Sequence, residues 1–189
     1  MAEQERKETA LDPMSDKLLK TRSVLLSGEI DKELAEKIVK QLLILDAEND
    51  QPITLFINSP GGDVEAGFAI FDMIRFIRCK VNIIGMGLVA SAAALILLAV
   101  PAERRFGLPN SNYLIHQPMS KMEGVATDIE IYTKQLERLR SKLNDIISRQ
   151  TGQSLDIVAS DTDRDHWLDA EEAKTYGLIS KILTKQSDL

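Results

Sequence analysis

The clearest candidate for chemistry is a serine inside an otherwise apolar stretch. Ser91 is the only hydroxyl between Gly85 and Leu97, where the other residues are small or apolar. A serine is an effective nucleophile at neutral pH only when a base accepts its proton. His116 follows an alternating apolar segment and could be that base, whereas His166 lies among charged residues and is expected to be solvated. The alternatives are that the serine caps a helix and that the histidine is structural.

A nucleophilic serine also needs a carboxylate that orients its histidine. The chain has 29 Asp and Glu residues, and spacing alone does not select one of them. Asp161, Asp163 and Asp165 form a cluster, although such clusters are also typical of solvated loops. The serine is not in a Gly-x-Ser-x-Gly motif, because Val89 and Ala93 occupy the glycine positions, which excludes the α/β-hydrolase elbow. No His, Asp or Glu pair has ligand spacing on a helix face, so we expect no metal site.

A glycine-containing turn is a second candidate for chemistry. Residues Asn58–Gly62 read Asn-Ser-Pro-Gly-Gly and lie between a predicted strand and a predicted helix. Glycines at such a junction leave backbone N–H groups accessible, and together with the helix dipole these groups suit a developing negative charge. The same pattern is also typical of an ordinary turn.

The elements that must position these residues alternate between strand and helix. The hydrophobic pattern predicts strands Ser23–Ser27, Ile53–Ile57 and Val81–Ile84, with helices Asp31–Ala47, Asp63–Arg78 and, after a glycine turn, Ala90–Ala99. This alternation predicts an α/β fold with a largely parallel sheet. In the second half of the chain, the same pattern predicts three strands, Arg105–Gly107, Tyr113–His116 and Leu178–Leu183. It also predicts three helices, Thr127–Arg149, Ser154–Ser160 and Ala170–Tyr176.

The long helix Thr127–Arg149 has two open interpretations. Thr127 and Glu130 form a capping-box pattern at its start. Apolar residues then recur every three or four positions over some 20 residues. The helix could lie in the core, or it could project and pack against another subunit.

Composition and charge narrow the class of protein. The chain has 189 residues, which suits one sizeable domain, and its net charge of −6 disfavours nucleic-acid binding. The single cysteine, Cys79, excludes an internal disulfide and an ordinary cysteine-based zinc site. Ile83–Val100 is 18 residues without charge, but its glycines favour a buried strand and helix over a membrane span. We expect residues 1–15 to be a flexible segment, residues 16–189 to be one domain, and the protein to be cytoplasmic.

Taken together, these stretches resemble the proteolytic subunit of Clp proteases, the ClpP family of serine peptidases. The resemblance runs from about Leu18 to Leu183 and is carried by motifs in a specific order and spacing. These motifs are Phe56–Gly62, Gly85–Gly87 with Ala90–Ser91, Leu108–Ser111, Ile115–Pro118, Ala126–Ile131, Thr151–Leu155, Asp163–Asp165 and Tyr176–Leu178.

The resemblance implies a fold, an activity and partners. The fold would be the ClpP/crotonase-like spiral of βαβ units with a projecting handle over about residues 117–150. The chain would be an ATP-dependent Clp protease proteolytic subunit, a serine endopeptidase that cleaves unfolded proteins inside a double-ring chamber. Two stacked heptameric rings would form a tetradecamer, to which a hexameric AAA+ unfoldase docks. ATP would be used by that unfoldase, and this chain would hold no cofactor.

The resemblance also implies residue roles. Ser91 matches the nucleophile, His116 the general base and Asp165 the acid. The N–H groups of Gly62 and Ala92 match the oxyanion hole. Ser120 and Lys121 match the substrate-binding segment.

Four departures from the family pattern are visible. Ala92-Ala93 replaces the usual Met-Gly beside the serine, and Ser120-Lys121 replaces a glycine pair. Thr54 replaces an aromatic residue of the unfoldase-docking pocket, although Phe56 is retained, and residues 1–15 do not match the family's gating loops. We therefore predict a divergent paralogue whose full activity could require a second ClpP type. The alternatives are a weakly active or structural subunit of a mixed ring and, less favoured by the site residues, a crotonase-type acyl-CoA enzyme.

Overall fold

Seven helices and seven strands are found in residues 13–189, which a computed structural model describes. The helices are α1 (Pro13–Lys20), α2 (Lys32–Glu48), α3 (Val64–Phe76), α4 (Ala92–Leu97), α5 (Ala126–Thr151), α6 (Leu155–Asp161) and α7 (Ala170–Tyr176). The strands are β1 (Ser23–Ser27), β2 (Ile53–Ser59), β3 (Val81–Ala90), β4 (Arg105–Gly107), β5 (Asn112–Ile115), β6 (His166–Leu168) and β7 (Lys181–Ile182). Single 3₁₀ turns cover Ala102–Arg104 and Gln186–Asp188. Of the segment predicted to be flexible, residues 1–12 lie outside the described residues and the last three belong to α1.

The sheet is largely parallel, as predicted. Its main path runs β1-β2-β3-β4-β7, with each neighbouring pair parallel. The first half of β3 pairs with β4, and its last three residues pair with β5 instead. Strand β6 then pairs antiparallel with β5. One strand, β3, therefore connects the main sheet to the β5–β6 pair.

The predicted glycine turn after Ile84 is wrong, because β3 continues through Gly85 and Gly87 to Ala90. The strand accommodates its glycines with a bulge, and Gly87 has a φ of +59°. The uncharged run that begins at Ile83 is divided between β3 and the six-residue helix α4. No helix in the described part of the chain is long and apolar enough to cross a membrane.

The predicted apolar stripes of α2 and α3 face the core. In α2 the buried residues include Ile38, Leu42 and Leu45. Asp31 caps the start of this helix, because its side chain accepts a hydrogen bond from the Leu34 N–H. The closing strand is shorter than predicted, because Leu178 donates back to a carbonyl of α7 and only Lys181–Ile182 pair with β4.

Helix α5 is half packed and half exposed. The predicted capping box is wrong, because the helix begins at Ala126 after Val125, whose side chain makes no capping hydrogen bond. Only Asn144 and Ile147 are buried within it, and both lie in its second half. Its first half projects from the domain, which supports the handle interpretation over a core helix.

Candidate active site

Ser91 occupies the junction between β3 and α4 in a conformation that is unusual for a residue with a side chain. Its φ is +56° and its ψ is −120°. Its N–H donates to the Leu114 carbonyl at 2.9 Å, and its own carbonyl accepts from Leu95 at 3.1 Å. Its hydroxyl makes no capping hydrogen bond, so the helix-cap alternative is wrong. A strained backbone of this kind persists only where its surroundings over-determine it, and such residues cluster at functional sites.

The candidate base and acid flank the pairing of β5 with β6. Ile115 is opposite His166 in this antiparallel ladder, so His116 and Asp165 lie at its end. His116 Nδ1 is 3.3 Å from Asp165 Oδ1. The imidazole side chain is only 12% exposed, whereas the carboxylate side chain is 60% exposed. A carboxylate on Nδ1 leaves Nε2 as the nitrogen that can accept a proton from substrate or nucleophile.

The second histidine is not part of this arrangement. His166 packs its ring against Tyr176, with 5.7 Å between the ring centroids, and lies 4.0 Å from an Asp161 carboxylate oxygen. It is therefore half-buried rather than solvated as predicted. Burial and the same carboxylate raise the pKa of Tyr176 above its ordinary value.

Ser91 and His116 line one small apolar pocket. Its volume is about 30 Å³, which is room for about one water molecule. The other walls come from α3, α4, α5 and the segment after His116, and they include Val64, Ala92, Leu95, Pro118, Leu143 and Ile147. No hydrogen bond joins the Ser91 hydroxyl to another group in residues 13–189, and such catalytic contacts often tighten only when substrate binds.

The glycine turn packs directly on the serine. A methyl group added to Gly61 would lie 2.7 Å from Ser91 Cβ and 2.7 Å from the Ala90 carbonyl oxygen. Ile30 holds the turn in place, since its N–H donates to the Gly61 carbonyl and its carbonyl accepts from Asp63.

Two backbone donors next to Gly61 and Ser91 in the chain remain free. Neither Gly62 nor Ala92 donates its N–H to another group within the described part of the chain. Ala92 is the first residue of α4, where an N–H has no partner inside the helix. Free N–H groups of this kind can stabilise an oxyanion that forms at the serine.

A larger groove of about 590 Å³ adjoins the pocket. The two share Val64 and Pro118, and the groove continues between the start of α3 and helix α5. Ser120 lines this groove and forms a hydrogen bond with the Tyr132 hydroxyl. Lys121 is exposed and lies outside the groove lining. An extended peptide could lie in this groove and reach the serine.

Tyr113 fixes the strand that leads to His116. Its ring is fully buried, and its hydroxyl occupies the space where Gly85 and Gly107 lack side chains. The hydroxyl is hydrogen-bonded to Ser111 at 2.9 Å, and burial raises the pKa of Tyr113 to about 12. A neutral, buried tyrosine therefore packs β5 against β3 and β4.

The sequence did not predict the contacts that hold residues 162–165, the loop that contains the candidate acid Asp165 and is called the acid loop below. Gln117 donates its N–H to the Thr162 carbonyl at 2.6 Å and its side-chain amide to the Asp163 carbonyl at 2.5 Å. Arg140 of α5 forms a 2.9 Å ion pair with the Asp163 carboxylate. The only available signal was that Gln117 directly follows the candidate base.

Across residues 13–189, no three His, Cys, Asp or Glu residues are grouped closely enough to hold a metal ion.

Comparisons with known proteins identify the family of this chain. The family model described as Clp protease matches residues 5–186. The chain is 58% identical to the ATP-dependent Clp protease proteolytic subunit 2 of Treponema denticola, over 94% of this chain and 90% of that protein. It is 51% identical to proteolytic subunit 3 of Rhizobium etli, over 91% and 89% respectively. A solved structure of a ClpP1 mutant from Listeria monocytogenes superimposes with a TM-score of 0.86 at 48% identity, covering 92% of this chain and 98% of that one. This chain belongs to the Clp protease family.

Proposed function

We propose that this proteolytic subunit hydrolyses peptide bonds with Ser91 as nucleophile, His116 as general base and Asp165 as the acid that orients the imidazole. The observation that carries the proposal is the convergence of these groups. The serine and the imidazole line one pocket, and the imidazole is paired with a carboxylate at 3.3 Å. The free N–H groups belong to Ala92, which follows the serine in the chain, and to Gly62, which follows the glycine that packs on the serine. An acyl-CoA enzyme of the crotonase type would need no such histidine–carboxylate pair.

The chemistry follows from the positions of these groups. Ser91 Oγ attacks the peptide carbonyl carbon while His116 Nε2 accepts its proton. The oxygen of the tetrahedral intermediate, now negatively charged, accepts hydrogen bonds from the N–H groups of Gly62 and Ala92. The imidazolium then protonates the leaving amine as the C–N bond breaks. Water, deprotonated by His116, releases the acyl group and restores the serine. Asp165 stabilises the imidazolium throughout.

The assembly completes the proposed function. Family membership supports a ring oligomer that works with a Clp ATPase. We propose further that the rings are heptamers stacked as a tetradecamer, in the cytoplasm, and that a second ClpP-type subunit can share them. The relatives named subunits 2 and 3 support this paralogue interpretation. Native mass of the purified chain, alone and mixed with a second ClpP-type subunit, tests it, and a monomer with full peptidase activity would contradict it.

A fluorophosphonate probe tests the nucleophile. We expect labelling of the wild type and none of Ser91→Ala. Ser141→Ala, which removes an exposed helix hydroxyl, is the matched control and should label normally. Labelling is measured for the chain alone and in mixed rings. Labelling in mixed rings alone would support the partner-dependent paralogue, and none in either state would support a structural subunit and exclude the peptidase mechanism.

A further inference from the structure

We propose that Asn58 is a positioning residue for Ser91, acting through the bulge in β3. The inference rests on the proposed role of Ser91 as nucleophile. Asn58 lies near the end of β2, is exposed, and takes no part in the pocket beside the serine.

The bulge offsets the register of the two central strands. Ile57 of β2 is paired with Gly85 of β3, and Ser59 of β2 is paired with Val89 of β3. The pairing therefore advances two residues along β2 but four residues along β3. Strand β3 thus contains two more residues than β2 over this interval. Such bulges bend a strand and re-aim the side chains that follow it, and they are common beside active sites.

The Asn58 side chain holds this bulge together. Its Oδ1 accepts a hydrogen bond from the Leu88 N–H at 3.1 Å. Gly87 has a φ of +59°, and a methyl group added there would lie 2.6 Å from the same oxygen. The oxygen therefore lies against the bulged backbone in a space that only glycine leaves open. Since the Asn58 amide nitrogen has no hydrogen bond in the described region, the side chain serves here as an acceptor only.

The backbone of Asn58 connects the bulge to β1, the strand on the other side of β2. Its carbonyl accepts from the Gly28 N–H at 3.1 Å, just after β1. One residue therefore joins the end of β1, the end of β2 and the C-terminal part of β3.

The register set by the bulge decides where the serine lies. Beyond the bulge, Val89 is opposite Ser59, and Ala90 is paired with Leu114 on β5. Ser91 follows immediately and is fixed by its N–H bond to Leu114. Loss of the Asn58 acceptor frees the bulge two residues before Ala90, so the serine would shift relative to Gly61. Displacements of about 1 Å in an active site can cost about 10²-fold in rate.

The test compares two near-isosteric substitutions. Asn58→Leu removes the acceptor, whereas Asn58→Asp retains an oxygen at the same position. For Asn58→Leu we expect the rate of fluorophosphonate reaction with Ser91 and the kcat for a fluorogenic peptide to fall by about 10- to 100-fold, with KM nearly unchanged. For Asn58→Asp both should stay within about 3-fold of wild type. Asn110→Leu, an exposed asparagine elsewhere, is the control for added apolar surface.

Two further measurements keep the outcomes distinct. Native mass and thermal unfolding are recorded for each variant, and Asn58→Ala, which also lacks an acceptor, replaces Asn58→Leu if the latter does not assemble. Amide hydrogen exchange at Leu88 should accelerate in the acceptor-free variant and recover in Asn58→Asp. Wild-type reaction rates in Asn58→Leu, or equal losses in the Leu and Asp variants, would overturn the inference alone. A wild type that does not label at Ser91 would overturn the proposed function, while the Leu88 exchange would still decide whether Asn58 holds the bulge.

Discussion

The nucleophile and the acid of this site are held by different kinds of interaction. Ser91 is fixed by backbone hydrogen bonds between β3, β5 and α4, and by a glycine turn that touches it. Asp165 is 60% exposed and lies in a loop that side chains of Gln117 and Arg140 attach to the rest of the domain.

The difference shows which part of the site depends on the handle helix. Helix α5 contributes Arg140 to an ion pair with Asp163, and Asn144, one turn later, to a hydrogen bond with Thr162. Both contacts hold the two loop residues Thr162 and Asp163, which lie just before Asp165 in the chain. The serine has no comparable polar attachment to α5, although the helix supplies apolar walls to its pocket. We therefore expect changes in α5 to alter the alignment of the acid more than that of the nucleophile.

The largest effect should come from the serine side, with Gly61→Ala. The added methyl group would lie 2.7 Å from a backbone carbonyl and from Ser91 Cβ, and neither can move without displacing the nucleophile. We expect kcat/KM for a peptide substrate to fall by about 10³-fold or more, since displacement of the serine would combine with a disturbed oxyanion hole.

Gly28→Ala is the matched control for this change. Gly28 has a φ of +93°, nearly that of Gly61 at +92°, but an added methyl group would have nothing within 4 Å. The control therefore has the same backbone strain without the collision, and should keep near-normal activity. Equal losses in the two variants would show that strain, rather than contact with the serine, governs this turn.

The acid side should respond less strongly. Asp165→Asn keeps the size of the side chain but removes the charge that stabilises the imidazolium. The loss in a serine protease with a buried triad acid is about 10⁴-fold in kcat. Because the Asp165 side chain is 60% exposed, water screens much of its charge, and we expect a loss of about 10²- to 10³-fold. Steady-state kinetics against wild type measure it, and a loss as large as that of Gly61→Ala would remove the distinction between the two sides.

The sequence predicted the regular parts of the fold because their periodicity is local. The buried stripe of α2, the alternation of strands and helices, and the α7 bounds Ala170–Tyr176 were all predicted from spacing and composition. The family resemblance identified Ser91 and His116, which the structure places at one pocket.

The parts that could not be predicted depend on contacts between distant segments. Gly85 and Gly87 indicated a turn, but pairing with β2 and β5 on either side extends the strand through them. Likewise, the unusual φ of Ser91 arises where β3 pairs with β5 and meets α4, and nothing in the apolar run around it signals such a conformation. Tertiary contacts override local preference at both places.

The smallest effect concerns the link between α5 and the acid loop. Arg140→Met and Asp163→Asn each remove one end of the exposed 2.9 Å ion pair. Exposed pairs contribute about 0.2–1 kcal/mol, so we expect each single variant to lose no more than about 5-fold in kcat. The double variant should lose no more than the worse single variant, because the two residues act through one contact. The rate of fluorophosphonate reaction at Ser91 should fall no further than kcat does.

A second ion pair on the same helix provides the control for this cycle. Arg149 is 2.8 Å from Asp145 on an exposed face, and Arg149→Met should leave kcat unchanged. Additive losses in the double variant would show that Arg140 and Asp163 act independently, and that the loop is held by Gln117 and Asn144 instead. A loss of kcat that is no larger in the double variant than in the single variants, and absent in Arg149→Met, would show that α5 affects catalysis through the position of Asp165. The serine, held by the sheet, would keep its position in either case.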